Sequence, residues 1–224
     1  MKKRFVYLIS LFLFSGILSV NAQRKESCIT TGWKFMKGDV ENASSMEFGD
    51  KSWQTVSVPH DWAIYGPFDK KYTGSNGGLP YIGIGWYRHS LDVSDVNLDN
   101  QTVSLLFDGA MSEAKVFVNG QQVMYWPYGY NSFYVDVTKY LHKGNNELAV
   151  RLENEPESSR WYPGGGLYRN VHLIVTDKVH VPVWGTYVTT PFVSAESATV
   201  SLKTNIENSD GKAVKIETKI ISPD

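Results

Sequence analysis

The chain has 224 residues, a formal net charge of -1 and 20% charged residues, with no basic run. That balance argues against nucleic acid as a partner. One cysteine, Cys28, excludes an internal disulfide and a cysteine-built zinc cluster.

The chain opens with Lys2, Lys3 and Arg4, continues as an almost wholly apolar run from Phe5 to Val20, and reaches Val20-Asn21-Ala22 before Gln23. A basic start, an apolar stretch and a small-residue exit predict a signal peptide over residues 1–22, removed on export. The expected location is periplasmic or secreted, with no membrane attachment after cleavage. Cys28 follows Arg24-Lys25-Glu26-Ser27, which is the wrong flank for a lipid anchor. About 200 residues then remain, enough for one sizeable domain and part of another.

From there the periodicity is that of strands. Val103, Leu105 and Phe107 alternate with Ser104, Leu106 and Asp108, and Val116 and Val118 repeat the pattern. Phe133–Val137, Leu148–Leu152 and Val171–Val175 continue it, with turn chemistry at Asp108-Gly109, Asn119-Gly120 and Gly144-Asn145-Asn146. No stretch after the leader reads as a long amphipathic helix. The predicted class is all-β, a jelly-roll (galactose-binding-like) β-sandwich over residues 23–178. Beyond a boundary near Thr176–Val183, Val200, Leu202 and Ile206 form one alternating run and Val214, Ile216 and Ile220 another. Asn208-Ser209-Asp210-Gly211 between them predicts a hairpin turn. Residues 179–224 read as the start of an immunoglobulin-like sandwich, which needs roughly 100 residues and here looks incomplete.

Four segments give this all-β chain a family resemblance. They are Val58-Pro-His-Asp-Trp-Ala-Ile64, Gly83-Ile-Gly-Trp-Tyr-Arg88, Phe107-Asp-Gly-Ala-Met-Ser112 and Ser158–Val171, which contains Arg160-Trp-Tyr-Pro-Gly-Gly-Gly-Leu-Tyr-Arg169. Val118-Asn-Gly120 and Trp126-Pro-Tyr-Gly-Tyr-Asn-Ser-Phe133 lie between them. In this order the chain resembles the β-galactosidases of glycoside hydrolase family 2 from about Ile29 to Thr176. Relatives often carry alanine at the position of Gly165 and isoleucine at that of Leu167. The resemblance implies a sugar-binding jelly-roll, then an immunoglobulin-like domain, then a (β/α)8 barrel on which the first domain packs. In such enzymes two barrel glutamates hydrolyse terminal β-galactosides with retention, through a covalent glycosyl-enzyme. It implies no cofactor, and the scattered histidines suggest no metal site. The catalytic pair lies outside these residues, so no catalytic residue is assigned here.

The resemblance also points to substrate-binding residues on loops that reach the barrel mouth. It places Arg160 at the sugar, where a guanidinium fork suits adjacent hydroxyls, with Glu157 as its alternative partner. Trp161 either stacks on a sugar ring or belongs to the core. Asn76 is the nearest match to a galactose-binding asparagine, and otherwise a turn residue. Asp61 either touches sugar or forms a hydrogen-bonded corner beside Trp62. Trp33, Trp53, Trp86, Tyr87 and Tyr168 are assigned to packing. Glu153, Glu155 and Glu157 alternate beside Pro156 as a solvated strand end. Rival readings are a free-standing carbohydrate-binding module, a structural or adhesin sandwich, and another family 2 specificity such as β-glucuronidase or β-mannosidase.

Overall fold

The structure is a computed structural model that describes residues 23–72, 79–158, 161–208, 211 and 213–222. The expected signal peptide (1–22), Asn76 and Arg160 lie outside the described residues. The chain opens with strands β1 (Arg24–Cys28), β2 (Trp33–Lys37), β3 (Gln54–Val56) and β4 (Ile84–Asp92). Next come β5 (Gln101–Phe107), β6 (Ala114–Val118), β7 (Gln121–Trp126), β8 (Phe133–Asp136) and β9 (Asn145–Glu153). Last are β10 (Val171–Asp177), β11 (Val179–His180), β12 (Thr186–Val193), β13 (Ala198–Thr204) and β14 (Glu207–Asn208).

Two antiparallel sheets form the sandwich. One has the order β1-β10-β5-β8 and the other β3-β2-β4-β9-β6-β7. The alternation seen in the sequence is what the two sheets bury between them. Val103, Leu105 and Phe107 of β5 face Val116 and Val118 of β6 and Leu148, Val150 and Leu152 of β9 across one core. Asn119 and Gly120, at φ 50° and 81° respectively, make the two-residue turn joining β6 to β7. Positive φ at both positions matches the right-handed twist of the paired strands, which is why Asn-Gly serves there.

A second apolar cluster lies on the outer face of the six-stranded sheet. The 38–53 loop folds over that face, packing Ala43 and Trp53 on Trp86 and Ala149. Arg88, two residues beyond Trp86 on β4, holds the loop in place. It is 1% exposed, and its Nη1 donates to the carbonyls of Ala43 and Ser45. Its Nε donates to Asp50 at 3.0 Å, and its Nη2 lies 3.2 Å from Glu147. That last pair is not aligned as a hydrogen bond. Burial therefore outweighs the pull of Arg88 and, with Asp50 repelling, pushes the Glu147 carboxyl up to about 7.

A raised acid binds its proton more tightly in the folded chain than in the unfolded one. Its contribution is thus present in acid and is lost as pH rises from about 4.5 through about 7. Glu147→Gln is expected to remove on the order of 2–3 kcal/mol of that decline. Urea midpoints measured at pH 5 and pH 7.5 check this; an undiminished decline in the variant rejects it.

The region after β10 departs from expectation. β12 pairs with β13 around a turn at Ser194–Ser197, where the Ser194 amide donates to the Ser197 carbonyl at 2.7 Å. β14 pairs with β11. Residues 213–222 carry no strand, and Val214, Ile216 and Ile220 are exposed. The run at Val214–Ile220 thus forms no strand, Ser209 and Asp210 of the predicted turn lie outside the described residues, and the hairpin that is present lies earlier in the chain. Alternation marks residues able to pair, but the partner is the segment whose register and turn bring it alongside. Val183 and Trp184 cover part of the outer face of the four-stranded sheet, against Leu106, Ile174 and Tyr134.

Candidate sugar-binding site

The four segments singled out in the sequence, with Trp126–Phe133, meet at one end of the sandwich. Trp62, 1% exposed, is the centre of the assembly, stacked on Phe35 at 5.7 Å and near Tyr87 at 6.3 Å. Its neighbours are glycines because its indole fills the space their side chains would need. A Cβ on Gly85 or Gly165 would lie 2.6 Å from the Trp62 ring. An alanine at position 165 would thus require the indole to shift. Backbone bonds tie the segments together. His60 N donates to Leu167 O at 2.7 Å, and Trp62 N to Gly165 O at 3.2 Å. Met111 and Gly166 exchange two amide bonds, at 3.0 and 3.1 Å, as an isolated antiparallel bridge.

On this base stand the exposed side chains. Asp61 is half-buried; its Oδ1 accepts from the Ala63 amide at 2.8 Å and its Oδ2 from the Tyr162 hydroxyl at 2.9 Å. Asp61 is thus the hydrogen-bonded corner, and it also binds the loop that carries Trp161. Two carboxylate oxygens have about four acceptor sites, so capacity remains for a sugar hydroxyl. Partial burial, reinforced by the hydrogen bond and charge of Asp61, pushes the Tyr162 phenol far above its usual range, which keeps it protonated as the donor. Buried Asn154 supports the same loop, its Nδ2 donating to Gly164 O at 2.6 Å and its amide to Gly83 O at 2.9 Å.

Trp161 is on the surface, 59% exposed, and not in the core. Its indole N–H donates to the Tyr130 hydroxyl at 2.7 Å, and Tyr130 meets Tyr128 edge-on at 5.6 Å. An exposed aromatic chain of Tyr128, Tyr130 and Trp161 thus borders the Asp61–Tyr162 pair. The structure brings Asp61 and Trp161 into one region. Tyr130, Tyr162 and Asn154 were not picked out from sequence. Tyr162 had a signal, since it follows Trp161 in the same loop, but its bond to a residue 101 positions away had none.

The packing assignments hold for Trp33, Trp53, Trp86 and Tyr87, all buried, while Tyr168 is half-buried and donates to Gly129 O at 2.8 Å. Glu153 pairs with Arg151 at 2.8 Å, and Glu155 and Glu157 are exposed. Among the described residues no three His, Cys, Asp or Glu side chains converge as metal ligands.

The comparisons agree with this arrangement. Residues 32–177 match the family model "Glycosyl hydrolases family 2, sugar binding domain". The chain is similar to Beta-galactosidase BoGH2A of Bacteroides ovatus, 40% identical over 193 residues, covering 85% of this chain and 23% of the relative. It is also similar to a putative beta-glucuronidase of Formosa agariphila, 34% identical, covering 94% of this chain and 20% of the relative. Among solved structures, a beta-glycosidase from Bacteroides vulgatus superposes with a TM-score of 0.77 at 34% identity, over 84% of this chain and 25% of that one. A beta-glucuronidase of Bacteroides uniformis gives 0.72 at 29% identity, over 82% and 22%. The chain thus spans about a quarter or less of the length of these relatives, at their N-terminal end. A match over most of the sandwich, together with the converging segments, shows that the chain belongs to glycoside hydrolase family 2, as its N-terminal sugar-binding domain.

Proposed function

We propose that the chain is the non-catalytic N-terminal part of an exported retaining β-glycosidase that removes terminal β-galactosides from oligosaccharides or glycans. In this reading residues 179–224 open an immunoglobulin-like domain, and the aromatic end of the sandwich faces a catalytic barrel. The observation that carries it is the exposed group of Asp61, Tyr162, Trp161, Tyr130 and Tyr128. It offers ring faces beside a carboxylate and a phenol, the chemistry that holds a pyranose. A carboxylate there disfavours a uronic acid, whose negative charge it repels. That favours a neutral sugar over a glucuronide, and the relative with 40% identity bears a β-galactosidase name.

The 224-residue chain should leave a chromogenic β-galactoside intact, because it spans only about a quarter or less of the length of these glycosidases. In the longer protein, Trp161→Ala should lower kcat/KM for β-galactosides about tenfold, the loss of one aromatic contact worth roughly 1.5 kcal/mol. Measuring kcat/KM for a β-galactoside and a β-glucuronide side by side, with the unfolding midpoint of each variant, tests both points. Turnover by the chain alone, a preference for the glucuronide, or unchanged kinetics in the variant would count against the reading.

A further inference from the structure

The outer face of the four-stranded sheet holds a constellation that this function does not use. Cys28 on β1 lies opposite His172 on β10. Val171 and Phe107 turn inward to the core, so His172 and Asp108, the neighbours of each, turn outward together. The Cys28 sulfur is 3.5 Å from His172 Nδ1, and His172 Nε2 is 3.0 Å from Asp108 Oδ2. Glu26 Oε1 lies 3.3 Å from the same Nδ1, and its other oxygen accepts from Arg24 at 3.0 Å. Cys28 is exposed, whereas the His172 side chain is 15% exposed.

In the tautomer whose Nε2 proton Asp108 accepts, the Nδ1 lone pair faces the thiol. When the thiol proton moves to Nδ1, the resulting imidazolium is flanked by Asp108 on one side and Glu26 on the other. A nucleophile, a base and a group orienting the base are thus in sequence, as covalent chemistry requires.

We propose that Cys28, His172 and Asp108 form an activated-thiol site that undergoes exchange with low-molecular-weight disulfides. The thiolate attacks one sulfur of the disulfide, forming a Cys28–sulfur bond as the original sulfur–sulfur bond breaks. The departing thiolate carries away the electron pair and takes the proton held by His172. The site does not depend on the sugar-binding reading.

Because the sequence has one cysteine, reaction of the whole 224-residue chain with dithiobis-nitrobenzoate reports Cys28 alone. An ordinary thiol is about 3% ionised at pH 7, so full ionisation accelerates it at most about thirtyfold, less the lower nucleophilicity of an acidic thiol. The chain should react at pH 7 about tenfold faster than a peptide covering residues 24–29. His172→Gln should lose that advantage, and Asp108→Asn most of it, with circular dichroism showing that both variants keep the fold. Mass spectrometry after exposure to glutathione disulfide should show one mixed disulfide, absent in Cys28→Ser. A chain no faster than the peptide, or a folded His172→Gln variant as fast as the parent, overturns the proposal. If either variant fails to fold, the comparison of chain with peptide decides.

Discussion

Gly166→Ala is expected to destabilise the sandwich by about 4 kcal/mol and to dismantle its sugar-binding end. Gly166 has φ +101°, in the region that costs an L-residue roughly 1–2 kcal/mol. A Cβ there would collide with the Tyr87 hydroxyl and lie 2.5 Å from the His60 carbonyl oxygen. Neither neighbour can yield easily. Tyr87 is fully buried with its hydroxyl 2.7 Å from His60 Nδ1, and the carbonyl is backbone. Overpacking of this kind adds about 1–3 kcal/mol. Against a typical domain stability of about 5–15 kcal/mol the sum is large. Gly144→Ala is the control, because it has φ +94° with nothing within 4 Å of the added methyl. It should show the backbone cost alone, about 1 kcal/mol. Equal urea midpoints for the two variants would show that crowding around Gly166 is relieved and that the glycine is there only for its φ.

Arg88→Met should cost about 3–5 kcal/mol, the range for breaking a buried ion pair by removing one partner. The loss is not chiefly that of an attraction. It comes from what stays behind: the carbonyls of Ala43 and Ser45 without their donor, and Asp50 and Glu147 without their cation. Arg88→Lys should recover only part, since one ammonium cannot reach partners arranged around a planar fork. The damage should be local before it is global. Amide exchange between Ala43 and Trp53 should quicken in Arg88→Met while the strands facing the main core stay protected. A cost below about 1 kcal/mol, or exchange that rises evenly over the chain, would mean that Ala43 and Trp53 hold the loop without the arginine.

Much of the architecture was legible because both sheets bury one face. Alternation at Val103–Phe107, Val116–Val118 and Leu148–Leu152 is the direct imprint of that burial. β1 carried no such imprint. All five of its residues, Arg24–Cys28, are exposed, and it forms only because the edge of β10 offers unpaired backbone groups. The loop over Arg88 was equally silent, since an arginine within a strand reads as a solvent-facing residue until its partners are seen.

The all-β class, the turn at Asn119-Gly120 and the family could be read from residues alone, because each depends on residue type at short spacing or on an ordered set of motifs. The folded chain was needed to show that β13 pairs backward with β12, with no strand at Val214–Ile220. Only it turned Asp61 into the acceptor of Tyr162 and put Trp161 on the surface beside Tyr130. The Asp61–Tyr162 and Trp161–Tyr130 bonds join residues 101 and 31 positions apart, and such contacts are set by how the loops close on one another in the packed chain. A periodic pattern records which face of a strand is buried; it holds no record of which distant loop arrives beside it.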